Sequence, residues 1–225
     1  ARAYVRAAAI ADGALGRSDE ALRLLAAARA TRPGDEDVLD AQVRLLTRAE
    51  AREPEKVGLA VDVLLHASEL TSDVALRVAH LEQAGALCET LDLERAASLY
   101  ERVLAIAPTR RFALVALQRA LHRAGAHAAL AKVFEREAEQ TSDVEHAIGL
   151  RLRAAEVHHK DARDLEQAVV TLRRVLAVRP DHHAALLALL GCHEEAGRME
   201  EAREILRQLV VLRPNDAVTL LFSIA

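Results

Sequence analysis

Apolar residues recur along this chain in a three-point register. Counting back from Pro33, Ser72, Pro108, Ser142, Pro180 and Pro214, the twelfth residue is Ala21, Ala60, Ala96, Leu130, Ala168 and Ala202. The eighth is Leu25, Leu64, Tyr100, Phe134, Leu172 and Leu206, and the fifth is Ala28, Ala67, Val103, Glu137, Val175 and Leu209. A small, a large and a medium side chain at steps of four and three share one face of a helix. Only Leu130 and Glu137, both in the fourth segment, depart from the register. The six markers lie 39, 36, 34, 38 and 34 residues apart, which is the period of helix–turn–helix repeats.

A second helix is expected after each marker. The sixth residue beyond Pro33, Pro108 and Pro180 is Leu39, Leu114 and Leu186, and Gly16, Gly125 and Gly197 then mark turns. Glycine at a helix end adopts the left-handed conformation without a side-chain penalty. Ser18-Asp19-Glu20, Asp35-Glu36-Asp37 and Ser142 with Glu145 carry N-cap or capping-box character. The prolines stand where one helix stops and the next begins. The pattern predicts one domain over residues 1–225, built of hairpin units at 1–34, 35–72, 73–108, 109–142, 143–180 and 181–214, with a partial seventh at 215–225. Units two, three and five exceed the basic period, so extended first helices or enlarged turns are expected there. Units also alternate in pairs: Asp92-Leu93-Glu94-Arg95-Ala96 returns as Asp164-Leu165-Glu166-Gln167-Ala168, and Ala113 to Leu117 returns as Ala185 to Leu189.

Composition narrows the fold class to all-α. The 225 residues are 52% hydrophobic but only 2% aromatic, with no Trp, so the core must be built of Ala, Leu and Val. Ala and Leu favour helices, and five Pro and nine Gly are too few to turn the strands of a sandwich or barrel. A net charge of −4 argues against a nucleic-acid surface. The longest apolar run, Ala184 to Leu190, falls far short of the roughly 20 residues of a membrane span. Cys88 and Cys192 are too few for a disulfide scaffold or a cysteine zinc site and read as two buried free thiols. No basic-then-apolar segment opens the chain, but its first residue is Ala1 rather than Met, so the compartment stays open.

Catalytic constellations are expected to be missing. His193-Glu194-Glu195 is followed by Gly197 where a zinc protease needs its second His, and neither a phosphate-binding Gly-Lys-Ser/Thr loop nor a Gly-x-Ser-x-Gly elbow occurs. The pairs His158-His159 and His182-His183 would each send only one ring to a common site, because adjacent helical residues point about 100° apart. His159 is expected to fill core. Acidic residues alternate with Arg, as in Glu94-Arg95 and Glu135-Arg136, which describes a solvated, salt-bridged face. Catalytic residues, metal ligands and cofactors are therefore all expected to be none.

The register resembles that of the tetratricopeptide repeat family over essentially the whole chain. Ala202, Leu206, Leu209 and Pro214 follow the family's small–large–medium–proline pattern, as do Ala168, Leu172, Val175 and Pro180, and Ala21, Leu25, Ala28 and Pro33. The family's first-helix aromatic is replaced by Leu186, Leu114 and Leu39, and its usual Gly by Leu190, Gln118 and Val43. Paired Arg- and Ala-rich units are similar to long arrays in bacteria.

The resemblance implies a right-handed α-solenoid of stacked hairpins, a non-enzymatic scaffold that docks protein segments or domains on its first helices, within a larger chain or assembly. Inward positions implied this way are Arg6, Asp37, Asp40, Arg44, Phe112, Val115, Arg119, His122, Arg123, Arg153 and Lys160. Arg119 and Arg123, one turn apart, suit a carboxylate, which points to an acidic partner. The Lys/Asn carboxylate clamp of chaperone-binding members is not expected, since the only Asn is Asn215. Leu220, Leu221 and Phe222 leave an apolar, uncapped end, so a longer chain, a partner or a second copy is expected to cover it. The rival expectation is a structural subunit that assembles end to end through such termini. An RNA-binding repeat would need a basic stripe, which the acidic balance does not supply.

Overall fold

A computed structural model describes residues 2–47 and 54–212 of the chain. It divides into two compact units, Ala1–Ala124 and Gly125–Ala225. Among the described residues the regular elements are helices. The first unit holds α1 (Arg2–Gly13), α2 (Ser18–Thr31), α3 (Glu36–Leu46), α4 (Pro54–Leu70), α5 (Val74–Cys88), α6 (Leu93–Ile106) and α7 (Arg111–Arg123). The second holds α8 (His127–Gln140), α9 (Val144–Glu156), α10 (Leu165–Val178), α11 (His183–Glu195) and α12 (Met199–Leu212), with a π-turn at Val157–Asp161 after α9. Successive helices pack on one another within each unit, so that α1/α2, α3/α4, α5/α6, α9/α10 and α11/α12 form antiparallel hairpins.

The three-point register is the buried stripe of every second helix. Ala21, Ala60, Ala96, Ala168 and Ala202 are all fully buried, and Leu25, Leu64, Tyr100, Phe134, Leu172 and Leu206 lie beneath the surface one turn on. Alanine at the first point lets two helix backbones approach, while the larger residue four positions later fills the space between hairpins. The exception in α8 resolves simply. Glu137 stays at the surface and Ala138, one residue on, supplies the buried contact. Leu130 keeps its place in the core.

Aspartates cap the starts of α3, α5, α6, α9 and α10. Asp73 accepts hydrogen bonds from the Ala75 and Leu76 amides, Asp143 from Glu145 and His146, Asp92 from Arg95, Asp164 from Gln167 and Asp35 from Val38. Each satisfies amides that the first helical turn leaves without partners. The caps expected at Ser142 and Ser18 are not formed. Helix α9 begins at Val144, which puts Asp143 rather than Ser142 at the capping position, and the Ser18 hydroxyl donates to Asp12 instead.

Gly16, Gly125 and Gly197 take φ of 63°, 69° and 71°, the left-handed geometry their turns require. In the turn after α9 that place falls to Arg163, at φ 56°. The preceding π-turn carries the bond from the Ala162 amide to the Val157 carbonyl, 2.9 Å, and so admits one extra residue into the first helix of that hairpin. The insertion changes which histidine is internal. His158 is the deeply buried ring, and His159, expected as core, sits at the rim of the hairpin facing α11.

A buried histidine gives the second unit a pH dependence. His193 is 1% exposed, and its Nδ1 has no hydrogen-bond partner. Burial pushes its pKa below the ordinary value, Arg173 adds to the depression, and Glu201 opposes it. The unfolded chain therefore binds this proton more readily than the folded one. The stability His193 contributes as a neutral ring is complete above about pH 6.5 and is lost as pH falls through the lower folded value. Urea midpoints of the wild type are expected to drop between pH 7.5 and pH 5, and the drop should be shallower in His193→Gln. Parallel pH profiles would refute the assignment.

Candidate functional site

The clearest hollow in the second unit lies between first helices α9 and α11. Its volume is about 440 Å³, and Leu152, Ala155, Leu187, Ala188 and Gly191 line it, with Leu172 of α10 and Cys192 as floor. These residues fall three and four apart on each helix, so both helices turn one stripe toward the gap. Leu187 remains 38% exposed, and a Cβ added at Gly191 would meet nothing within 4 Å. The rim is polar. His159 Nε2 meets Glu195 Oε1 at 2.9 Å, and Lys160 Nζ donates to Glu156 Oε1 at 2.8 Å. Burial and then Glu195 push the Cys192 thiol above its ordinary pKa, which keeps it a neutral part of the floor.

The first unit repeats this construction between α1 and α3. Val5, Ala8, Ala9 and Asp12 face Ala41, Arg44 and Leu45 over Leu25, around about 470 Å³. Leu25 occupies the same repeat position as Leu172, Ala8 that of Ala155, and Ala41 that of Ala188. Arg44 stands where the other hollow has Gly191. Among the described residues its guanidinium makes one long contact, Nε to the Asp40 carbonyl at 3.4 Å, and the side chain is exposed.

A third polar feature joins α5, α6 and α7. The Glu89 carboxylate, just past the end of α5, accepts from Arg119 Nη2 at 2.5 Å, Arg119 Nε at 3.1 Å, Arg123 Nη1 at 3.4 Å and the Tyr100 hydroxyl at 2.8 Å. Burial alone would raise the Glu89 pKa; hydrogen bonds from Arg119 and Tyr100, with both guanidinium charges, outweigh it and hold the carboxyl below its ordinary value. Burial and Glu89 together push the Tyr100 phenol up. The cluster is a self-contained ion network rather than an open site.

Residues 159–220 match the tetratricopeptide repeat family. That stretch is tetratricopeptide repeat sequence, and the three-point register carries the resemblance through the other described hairpins. The chain's fold class is the all-α solenoid of stacked helix hairpins. Solved structures that it resembles include the Naa15/Naa10 complex bound to HypK-THB, at 18% identity over 96% of this chain and 33% of that one, with a TM-score of 0.56. Two others are YrrB, a TPR protein with an unusual peptide-binding site, and MamA of AMB-1. For YrrB the identity is 16%, over 88% of this chain and 96% of that one, with a TM-score of 0.41. For MamA it is 21%, over 74% and 93%, with a TM-score of 0.40. At these identities the likeness is one of fold. No curated protein sequence matches the chain.

The array distributes the residues singled out in sequence over several places. Arg44 and Lys160 line the two hollows. Arg6, Asp37 and Asp40 are exposed on α1 and α3. Phe112 and Val115 are each 52% exposed on α7, and the Phe112 ring lies edge-on to Tyr100 at 6.4 Å. His122 is exposed near the end of the same helix. Arg119 and Arg123 come together as expected of a clamp, but the carboxylate they hold is Glu89 of the same chain. The Arg153 guanidinium lies 4.3 Å from the centre of the Phe134 ring, a cation–π contact. Leu220, Leu221 and Phe222 lie outside the described residues. Among the described residues no helix is long and apolar enough to cross a membrane, and no three His, Cys, Asp or Glu side chains are grouped for a metal.

The residues that shape the second hollow, Leu152, Leu187, Gly191 and Glu195, escaped the sequence reading. Their signal was present. The stripe through Arg153 and Lys160 continues at Leu152 and Glu156, and α11 repeats it at Ala184, Leu187 and Gly191. An isolated Gly in a strongly helical apolar run also marks a place where packing is open or close.

Proposed function

We propose that this chain is a non-enzymatic scaffold, a protein-interaction module as tetratricopeptide arrays generally are, that docks partner segments on its first helices, with the hollow between α9 and α11 taking an apolar side chain. The observation that carries this reading is the open apolar floor beside Gly191, framed at its rim by the His159–Glu195 contact and the Lys160–Glu156 ion pair. An apolar anchor there buries itself against Leu152, Leu172 and Leu187, while its own backbone stays beside the polar rim; such a central buried anchor is what dominates interface energies. Arg44 is the proposed carboxylate anchor in the first unit, since Arg119 and Arg123 would accept an acidic group only in exchange for Glu89.

Gly191→Trp tests the docking. The substitution fills the hollow from a helical position with free space above it, so helicity and the urea midpoint should not fall. Peptides selected from a display library on the wild type are expected to bind the variant at least tenfold more weakly. Equal affinity for a folded variant would remove this hollow from the interface.

A further inference from the structure

A different groove lies on the opposite, second-helix face of the first unit. Helices α2 and α4 both pack on α3, and the space between them is a hollow of about 380 Å³. Its apolar wall is Leu22, Ala26, Leu46, Leu59 and Val63, and Leu59 is 55% exposed. Arg23 and Arg29 also line it. Neither has an ion-pair partner among the described residues. The carboxylate in the groove, Asp62, is held by Arg95 of α6 at 2.9 Å, and the remaining titratable group is His66. Among the described residues the groove therefore presents two positive charges without an ion-pair partner.

A second observation points to a ligand. Gln42 lines the same hollow from α3, is only 7% exposed, and its Oε1 is buried without a hydrogen-bond partner. A buried acceptor left this way is unfavourable, and a turn of the Gln42 side chain that meets an N–H in the groove relieves it.

We propose that this groove binds an acidic peptide segment in extended conformation. An apolar side chain of the segment covers Leu59 and Leu22, a backbone N–H donates to Gln42 Oε1 as that side chain turns toward the groove, and two carboxylates pair with Arg23 and Arg29. The two arginines are six residues apart on α2, a rise of about 9 Å, which an extended chain spans in about three residues. Carboxylates two residues apart, which an extended chain presents on one side, therefore reach both through the length of the arginine side chains. A helical ligand fits less well, because beyond its first turn its amides are already bonded internally. Extended segments offer the free amide that Gln42 lacks. This site is separate from the hollow at Gly191.

The test uses the 225-residue chain and two fluorescein-labelled hexapeptides, Glu-Ser-Glu-Ser-Leu-Ser and its neutral counterpart with Gln in place of Glu. Fluorescence anisotropy should show at least tenfold tighter binding of the acidic peptide, weakened by 0.5 M NaCl. R23E/R29E should abolish the preference with an unchanged far-UV CD spectrum, and Q42L should weaken binding of both peptides. Gly191→Trp should change nothing, so failure here and failure of the first-helix docking are distinguishable. If R23E/R29E does not fold, R23Q/R29Q carries the same expectation. Equal affinity for the two peptides overturns the proposal, as does binding that survives the folded double variant or is lost with Gly191→Trp. Arginine-dependent self-association, or binding of phosphatidylserine vesicles in place of the peptide, overturns it equally by assigning the groove to another occupant.

Discussion

Tyr100→Ala is expected to destabilise the first unit by about 3–5 kcal/mol, the range for deleting a buried aromatic side chain. Tyr100 is 0% exposed and is the one aromatic residue at the large position of a second helix in that unit. Two losses combine. The ring leaves a cavity among α5, α6 and α7, where it packs against Gly85 and lies edge-on to Phe112. Its hydroxyl also leaves Glu89, although Arg119 and Arg123 still hold that carboxylate. Tyr100→Phe separates the two losses: it keeps the ring and forfeits only one hydrogen bond to a charged acceptor, about 1.5–3 kcal/mol. Urea unfolding followed by far-UV CD reads both, with a transition from each unit fitted separately where they do not coincide. Equal losses in the two variants would show that the hydroxyl, not the ring, is what matters.

Gly85→Ala should destabilise and Gly149→Ala should stabilise, although both replace a mid-helix glycine. Alanine gains about 0.5–1 kcal/mol over glycine in a helix interior through the entropy of the unfolded chain and helix propensity. At Gly149 nothing lies within 4 Å of an added Cβ, so that gain is realised in full. At Gly85 an added Cβ would stand 2.8 Å and 3.0 Å from the Tyr100 ring. That ring cannot swing aside, being enclosed and tied through its hydroxyl to Glu89. Overpacking of this kind costs typically 1–3 kcal/mol, enough to outweigh the propensity gain. The opposite signs are the measurement: urea midpoints that move the same way in both variants would mean that the Tyr100 contact yields easily. In Tyr100→Ala, Gly85→Ala should instead become neutral or stabilising, because its clash has gone.

The glycine comparison marks the boundary of what the chain's pattern discloses. Gly85, Gly149 and Gly191 look alike along the sequence, each an isolated Gly in an apolar helix. One is required by a ring on the next helix, one is open to solvent, and one opens a hollow. The distinction depends on which residues of other helices stand opposite, information that a helical period does not carry. The aspartate caps differ in the same way. Thr-Ser-Asp-Val offers two adjacent capping residues, and where α9 begins selects Asp143 over Ser142. The rim position of His159 had no counterpart in the register, because the π-turn shifts the helix by one residue within a single hairpin. The clamp at Arg119 and Arg123 was legible as a pair; that Glu89 satisfies it was not, because Glu89 arrives from another helix 30 residues earlier.

Sequence by itself determined the repeat: its period, the helix content, and the buried stripe of each second helix from Ala21 to Leu209. It could do so because burial in a stacked hairpin depends on one face of one helix, and that face recurs every three and four residues. Tertiary structure alone decided where the surface stays open. The hollows at Gly191 and Arg44, the groove at Gln42 and the closure of Glu89 arise from side chains of three helices meeting in space. Charge pairing and free volume are properties of such meetings, so they are settled by which residues face each other across a gap rather than by the order in which the chain presents them.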